Sequence, residues 1–532
     1  MSATFTNPVL PGFHPDPSIC RVGDDYYLAN STFEWFPGIL LSHSRDLVHW
    51  THVGHALTRR SQLDLRAVVD SGGIWAPSLS YADGQFWLVY AVLRTTGMGR
   101  PFKDAHVHLV TAPSITGPWS EPVHLNSIGF DPSLFHDEDG RKWLVNMQWD
   151  FRKGRNRFAG IVLQELDPQS RTLVGPIHEL LRKPILSEGP NLYRHGGYYY
   201  LMLAEGGTGW NHGIAMARSR ALTGPYECDP EPAMLTTRDD LTHPLQKCGH
   251  GELVQTPAGE WWLAHLCSRP LAPERRCLLG RETALQRVVW SDDGWLRLAH
   301  GGHSPVLQPP LPAGILPSVP QTDEDGQSRD DFDRATLSAS WQTLRVPAEE
   351  SWLSLTQRPG WLRLVGRECP NSLWEQSLVA KRLQSFQATA ETRLDFAPTR
   401  FTQMAGLVCW YDTRTHFFLR VTHDEQRGRV VGVSLSDDGN YDELPDGVLP
   451  VASWHSVYLR AEIDRSLLVF SASPDGSAWR QVGPALDASK LSDDYGYGLH
   501  FTGAMIGLAV YDLNGTRLAA DFDYFTLRPT LG

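Results

Sequence analysis

The stretch HPDPSICRVGDDYYLANS (14–31) holds two short elements nine residues apart: an Asp-Pro-Ser step closing at Ile19, and a turn that leads into an aromatic pair and Leu28. Both return four more times. The turn-plus-aromatic element recurs as DGQFWL (83–88), DGRKWL (139–144), GGYYYL (196–201) and AGEWWL (258–263), so its Leu falls at 28, 88, 144, 201 and 263, at intervals of 60, 56, 57 and 62. The first element recurs as APSL ending at Leu79, DPSL at Leu134, EGPNL at Leu192 and HGEL at Leu253, which puts it 9, 9, 10, 9 and 10 residues ahead of its aromatic Leu. Two patterns that keep phase through five periods define a repeat. Polar strand-and-turn segments such as SHSRDLVHW (42–50) and TAPSITGPW (111–119) follow several copies, as in a meander of short antiparallel strands. Small antiparallel sheets of this size bury their faces by stacking around an axis, so the repeat predicts a five-bladed β-propeller over residues 1–304.

Beyond the repeat the composition changes. Prolines at 305, 309, 310, 312, 317 and 320 precede the polar run QTDEDGQSRD (321–330), which reads as a linker over 305–329 lying extended on the surface. From 330 to 532 the chain alternates apolar and polar residues in runs such as WLRLVG (361–366), HFFLRVTHD (416–424), SVYLRAEI (456–463) and FDYFTL (522–527). With Asp, Gly and Asn turns between them, these predict a C-terminal β-sandwich of the jelly-roll, concanavalin-like kind. The chain is therefore all-β.

With 48 Lys and Arg against 60 Asp and Glu, the 532-residue chain carries a net charge of −12 and no long basic run, which argues against nucleic acid or an anionic membrane as partner. A neutral ligand fits better. The start, MSATFTNPVLPGFHPDPS, has neither a basic n-region nor an apolar h-region, so a cytoplasmic location is expected. Seven cysteines without a CxxC pair read as reduced thiols, and the sequons at Asn30 and Asn514 then read as chance matches.

In a propeller the first strand of each blade lines the central channel. Equivalent points of the first element are then Asp16, the Trp75-Ala76 step, Asp131, Glu188 and His250, so three carboxyl groups and a histidine converge on one mouth. Grouped carboxyls are costly unless they share protons or meet polar partners, which points to function. Asp-Pro-Ser can also be a plain turn signal, but three acidic copies at one repeat position are hard to explain that way. The chain has no GxSxG, HExxH, GxxxxGK[ST] or GxGxxG, so acyl transfer, zinc proteolysis and nucleotide chemistry lack support. Glycoside hydrolysis needs paired carboxyls alone, and groups on different blades suit the wider, inverting separation.

Seven motifs in order, NPVLPGFHPDPSI (7–19), STFEWFPGI (31–39), GGIWAPSL (72–79), GFDPSLF (129–135), SEGPNLY (187–193), GHGEL (249–253) and LGRETALQ (279–286), resemble family 43 glycoside hydrolases of the β-xylosidase type. The likeness spans propeller, linker and sandwich. It implies an exo-acting, inverting enzyme that releases xylose from the non-reducing ends of xylo-oligosaccharides, with Asp16 as general base, Glu188 as general acid, and Asp131 orienting Glu188 and raising its pKa. It further implies Arg281 and His250 as substrate-binding residues, Phe33 and Trp75 as walls of the terminal-xylose subsite, and Trp149 beside the next sugar. Met505, in FTGAMIG (501–507), takes the place of a family Phe on a sandwich loop over the site, a flexible thioether that would loosen the aglycone side. No cofactor is required by this chemistry. A Ca²⁺ held through water by His250 is the metal the resemblance allows, and Asp331, Asp333, Asp521 and Asp523 form a second candidate ion site. The resemblance implies a homo-oligomer, a dimer or tetramer. Two other readings stay open: an enzyme acting mainly as an α-L-arabinofuranosidase, and a non-catalytic carbohydrate-binding protein.

Overall fold

Hairpin turns are the first feature the sequence dictates. Asp83 and Gly84 stand at φ 54° and 76°, and Gly196 and Gly197 at 54° and 78°. Paired positive angles make the tight turn whose twist matches the strands it joins, here Ala82 to Gln85 and His195 to Tyr198. In the computed structural model, which describes residues 3–95, 101–231, 233–314, 328–498 and 500–530, each repeat is such a hairpin extended outward.

The five repeats form five antiparallel sheets. Their first strands are Ser18–Val22, Gly73–Ala82, Gly129–His136, Ser187–His195 and Gln246–Gln255, and the aromatic elements supply the second strands, Asp25–Asn30, Gln85–Leu93, Lys142–Trp149, Tyr198–Glu205 and Trp261–Ser268. Each first strand touches the first strand of the next sheet, and the fifth touches the first, which closes the ring of a five-bladed propeller. The chain start is tied to the last blade: Val9 and Leu10 donate to the carbonyl of Thr283 at 2.9 and 3.2 Å. Beyond it residues 305–314 of the Pro-rich segment run back along the start, with Phe5 N–H on Pro309 O at 3.1 Å and Asn7 N–H on Leu307 O at 2.9 Å, while most of the remaining linker, 315–327, lies outside the described residues.

The C-terminal part is a concanavalin-like sandwich of a nine-stranded and an eight-stranded sheet. Its two sheets read differently in burial. Gln387–Asp395 in the first alternates buried and half-buried positions, the mark of a sheet with one wet face. Gln403–Trp410, His416–Asp424 and Met505–Asp512 in the second are buried nearly throughout. The reason is the propeller. Val408, Trp410, Phe418, Ala509 and Tyr511 on the outer face of this sheet pack with Phe13, Phe33, Trp35 and Trp75 of the propeller in one continuous core. Trp35–Phe36 even forms a strand of the eight-stranded sheet, paired with Gln342–Leu344. The segment STFEWFPGI is thus shared: the Phe33 side chain lines the pocket at the propeller mouth, and the backbone of Trp35–Phe36 adds a strand to the sandwich.

Candidate active site

The pocket at the propeller mouth is built from strand irregularities. Register skips a dipeptide between Trp75 and Ser78, between Phe130 and Ser133, and between Glu188 and Asn191, and slips again between Gly249 and Gly251. Such bulges re-aim a side chain that a regular strand would leave in the sheet face. Asp16, Asp131 and His250 take φ of 50°, 52° and 34°, left-handed angles that non-glycine residues hold only when their surroundings impose them.

This geometry corrects the repeat phase. The bulge position carries Asp16, Ala76, Asp131, Gly189 and His250, whereas Glu188 is paired like Trp75 and Phe130, one residue earlier. A glycine fills the fourth slot for a steric reason: a Cβ on Gly189, at φ 54°, would lie 3.1 Å from the His250 ring and 3.2 Å from Ala204. The third carboxyl therefore comes from the position that elsewhere holds the pocket aromatics.

Asp16, Asp131 and Glu188 nevertheless line one pocket of about 400 Å³, together with Phe33, Trp75, His250 and Arg281. Asp16 accepts from Arg281 Nη1 at 2.9 Å and from the Ser31 hydroxyl at 2.7 Å, with His250 Nδ1 3.8 Å away. Burial by itself would raise its pKa, but the charges of Arg281 and His250 and the Ser31 bond outweigh it and hold Asp16 below the usual carboxylate value. Glu188 moves the other way, to about 7, through burial first and the Asp16 charge second, with Lys103 and Arg281 opposing. Asp131 is raised well above its ordinary value by burial and by the Glu188 and Asp16 charges, while its Oδ2 accepts the Gly189 N–H at 3.1 Å. Asp131 and Glu188 act on one another, since each disfavours the other's charge, and burial and the Asp16 charge add to the effect on both. The buried Asp131–Glu188 pair retains a proton that Asp16 has already lost, and the two titrate together.

Arg281 lines the pocket and is held by several partners at once. Besides Asp16 it donates to Thr208 Oγ1 at 3.2 Å and, from Nε and Nη2, to the carbonyl of Phe501 at 3.2 and 3.0 Å. Phe501 is a side chain the sequence reading passed over. Its ring stands against Trp75, centroids 5.1 Å apart at 83°, and against Phe33 at 5.9 Å. Met505 is corrected accordingly: it starts the strand Met505–Asp512 and is fully buried in the core between propeller and sandwich, so the sandwich residue over the pocket is Phe501. Thr208, His212 and Phe130 also line the pocket and were missed, since only Phe130 falls next to a repeat motif. Trp149 is not among the side chains lining the pocket: it packs behind Phe130 at 6.1 Å and edge-on to Phe158 at 5.4 Å, and its indole N–H is spent on Pro101 O at 2.8 Å. Lys103, equally unmarked in sequence, lies over the rings of Trp149 at 4.9 Å and Trp75 at 5.1 Å, and burial lowers its pKa to about 8.

The candidate ion sites differ in donor supply. Below His250 the axial cavity, of about 250 Å³, is lined by Ser18, Ser133, Asn191 and Glu252. The Ser18 hydroxyl and the Ile19 N–H both donate to Glu252 Oε2, at 2.5 and 2.8 Å, and the Ser133 hydroxyl donates to Pro190 O at 2.5 Å, so the lining groups already partner one another. In the sandwich, Asp521 already accepts from Arg358 at 2.8 Å and Arg363 at 2.7 Å, Asp523 from Arg393 at 3.0 Å, and Asp331 from Arg329. These aspartates have cations of the protein's own. The same holds for Asp493 and Asp494 beside Cys277, where Lys247 Nζ sits 2.6 Å from Asp494.

The comparisons with known proteins point one way. The family described as glycosyl hydrolases family 43 matches residues 5–296, and the β-xylosidase C-terminal concanavalin A-like domain matches residues 329–528. A crystal structure of xylan β-1,4-xylosidase from Bacillus halodurans C-125 superposes with a TM-score of 0.95 at 51% identity, over 98% of this chain and 100% of that one. The β-xylosidase of Bacillus subtilis (strain 168) is 45% identical over 98% of this chain and 99% of its own length. The xylosidase/arabinosidase 43B of Humicola insolens is 46% identical over 98% and 97%.

Proposed function

The chain belongs to glycosyl hydrolase family 43, and from that premise we propose that it removes xylose from the non-reducing ends of β-1,4-xylo-oligosaccharides with inversion, with α-L-arabinofuranosidase as a side activity. One observation carries the reading. A single pocket holds a carboxylate kept ionised by Arg281 together with a buried carboxyl pair that retains a proton near neutral pH. That is the division of labour a two-carboxyl glycosidase needs, and a lectin facing a neutral sugar gains nothing from it.

Asp16 is the base: it takes a proton from the water that attacks the anomeric carbon, and Arg281 and Ser31 fix its two oxygens for that task. Glu188 is the acid, giving its proton to the departing glycosidic oxygen. Asp131 positions the Glu188 strand through the Gly189 N–H and keeps the site's second proton close. No step passes through a metal, and EDTA treatment should leave the rate on a xyloside unchanged. Phe33, Trp75 and Phe501 enclose the sugar ring, whose C–H faces suit aromatic surfaces.

Xylotriose followed over time, with kcat/KM for 4-nitrophenyl β-xyloside and α-arabinofuranoside measured beside it, tests the proposal. Stepwise release of xylose and a preference for the xyloside support it; a preference for the arabinofuranoside reverses the order of the two activities. The same reading places the enzyme in the cytoplasm as a dimer or tetramer. Seven free cysteines agree with a reducing compartment, and among the described residues no helix is long and apolar enough to cross a membrane.

A further inference from the structure

Ser71 sits where the two halves of the pocket meet. It is 1% exposed and held at φ 58° in the loop ahead of Gly73–Ala82. Its three polar atoms are all committed to pocket neighbours. The carbonyl accepts the Trp75 indole N–H at 2.9 Å, the hydroxyl oxygen accepts the Phe501 backbone N–H at 3.0 Å, and its own N–H donates to Glu34 Oε2 at 3.1 Å. Glu34 follows Phe33, which stands at φ 52° and exchanges backbone hydrogen bonds of 3.1 Å with Ile74. Trp75 and Phe501 are thus each one hydrogen bond from Ser71, and Phe33 adjoins the residue at the third.

The loop is also clamped from the sandwich side. Arg345 donates to Val68 O at 2.7 Å and to Asp70 Oδ1 at 2.6 Å, and Thr413 places its N–H, at 3.3 Å, and its hydroxyl on Asp70 Oδ2. Arg345 and Thr413 lie in the same C-terminal part as Phe501. The Phe501 peptide is therefore held at both polar atoms by propeller residues, its C=O by Arg281 and its N–H by Ser71.

We infer that Ser71 is a positioning residue for the terminal sugar: its carbonyl and hydroxyl fix the mutual setting of Trp75 and Phe501, and so convert docking of the sandwich into the shape of the subsite. The inference rests on the glycosidase reading above. Without the hydroxyl, the Phe501 peptide keeps only its Arg281 bonds and its ring is free to tilt away from Trp75. A purely structural serine would contribute to thermal stability and leave sugar binding alone.

Ser71→Ala removes the acceptor for Phe501 while the bonds to Trp75 and Glu34, made by backbone atoms, remain. Ser71→Gly makes the same deletion with a residue that takes φ near 58° without strain, so a folding defect of the alanine variant does not decide the matter. In folded protein, KM for xylosides and Ki for free xylose should rise together by about 3- to 10-fold, the worth of one hydrogen bond. The change in kcat should stay within about 3-fold, because the acids are untouched. Folded variants with KM and Ki equal to wild type overturn the inference, whatever their Tm. Wild-type protein inert on xylobiose and on 4-nitrophenyl β-xyloside overturns the glycosidase reading instead.

Discussion

The propeller and the sandwich contribute to one pocket in different currencies. The propeller supplies every charge, Asp16, Asp131, Glu188 and Arg281, each fixed by a bulge or a buried ion pair. The sandwich supplies one ring, Phe501, and a sheet whose outer face is buried against the propeller. The difference teaches that the C-terminal part is the second wall of the site. Chemistry should fail when the propeller is altered, and closure should fail when the sandwich is.

The largest effects therefore belong to the propeller acids. Asp16→Asn and Glu188→Gln should each lower kcat by roughly 10²- to 10⁴-fold, with far smaller changes in KM. A sandwich substitution that cost as much in kcat, in folded protein, would break the division between the two regions.

The pH profile sharpens the same point. Turnover needs Asp16 without its proton, a form present above its lowered pKa and lost as pH falls through it. It needs Glu188 with its proton, present below about 7 and lost as pH rises past that value. The log kcat/KM profile should be a bell with its alkaline limb near 7, and Glu188→Gln should flatten that limb in the residual activity. A Phe501 variant should keep both limbs where they are.

Closure is the smaller term. Phe501→Ala should raise KM for xylosides and Ki for xylose by roughly 10-fold, as expected for losing one stacked aromatic wall, with kcat changed far less. Smallest of all is Met505→Leu. A buried, volume-conserving exchange costs less than about 1.5 kcal/mol and should lower Tm slightly without altering KM. A change in aglycone preference on this substitution would return Met505 to the pocket.

How far the sequence could be read follows the same boundary. The ring, its five blades and the three carboxyls were legible because a repeat writes its own phase into the chain, and the aromatic hairpins advertise the second strands. For Glu188 that phase is one residue out, since the steric demand of His250 puts Gly189 in the equivalent slot and shifts the acid by one position. Phe501 could not be found this way. Its partners Ser71 and Arg281 lie 430 and 220 positions away, and contacts between unlike domains leave no period. Met505 was misplaced because the resemblance matched it to a family Phe on a loop over the site. The continuous apolar run MIGLAVYD (505–512) was the better signal, that of a strand covered on both faces.

The most direct test of the central claim, an ionised Asp16 facing a protonated Glu188 across a sugar, is the anomeric configuration of the first product. Proton NMR during the first turnovers on a β-xyloside should show α-xylose, with the β-anomer appearing only by mutarotation. Initial release of β-xylose would mean attack by a protein carboxylate on carbon, and the roles given to Asp16 and Glu188 would be wrong.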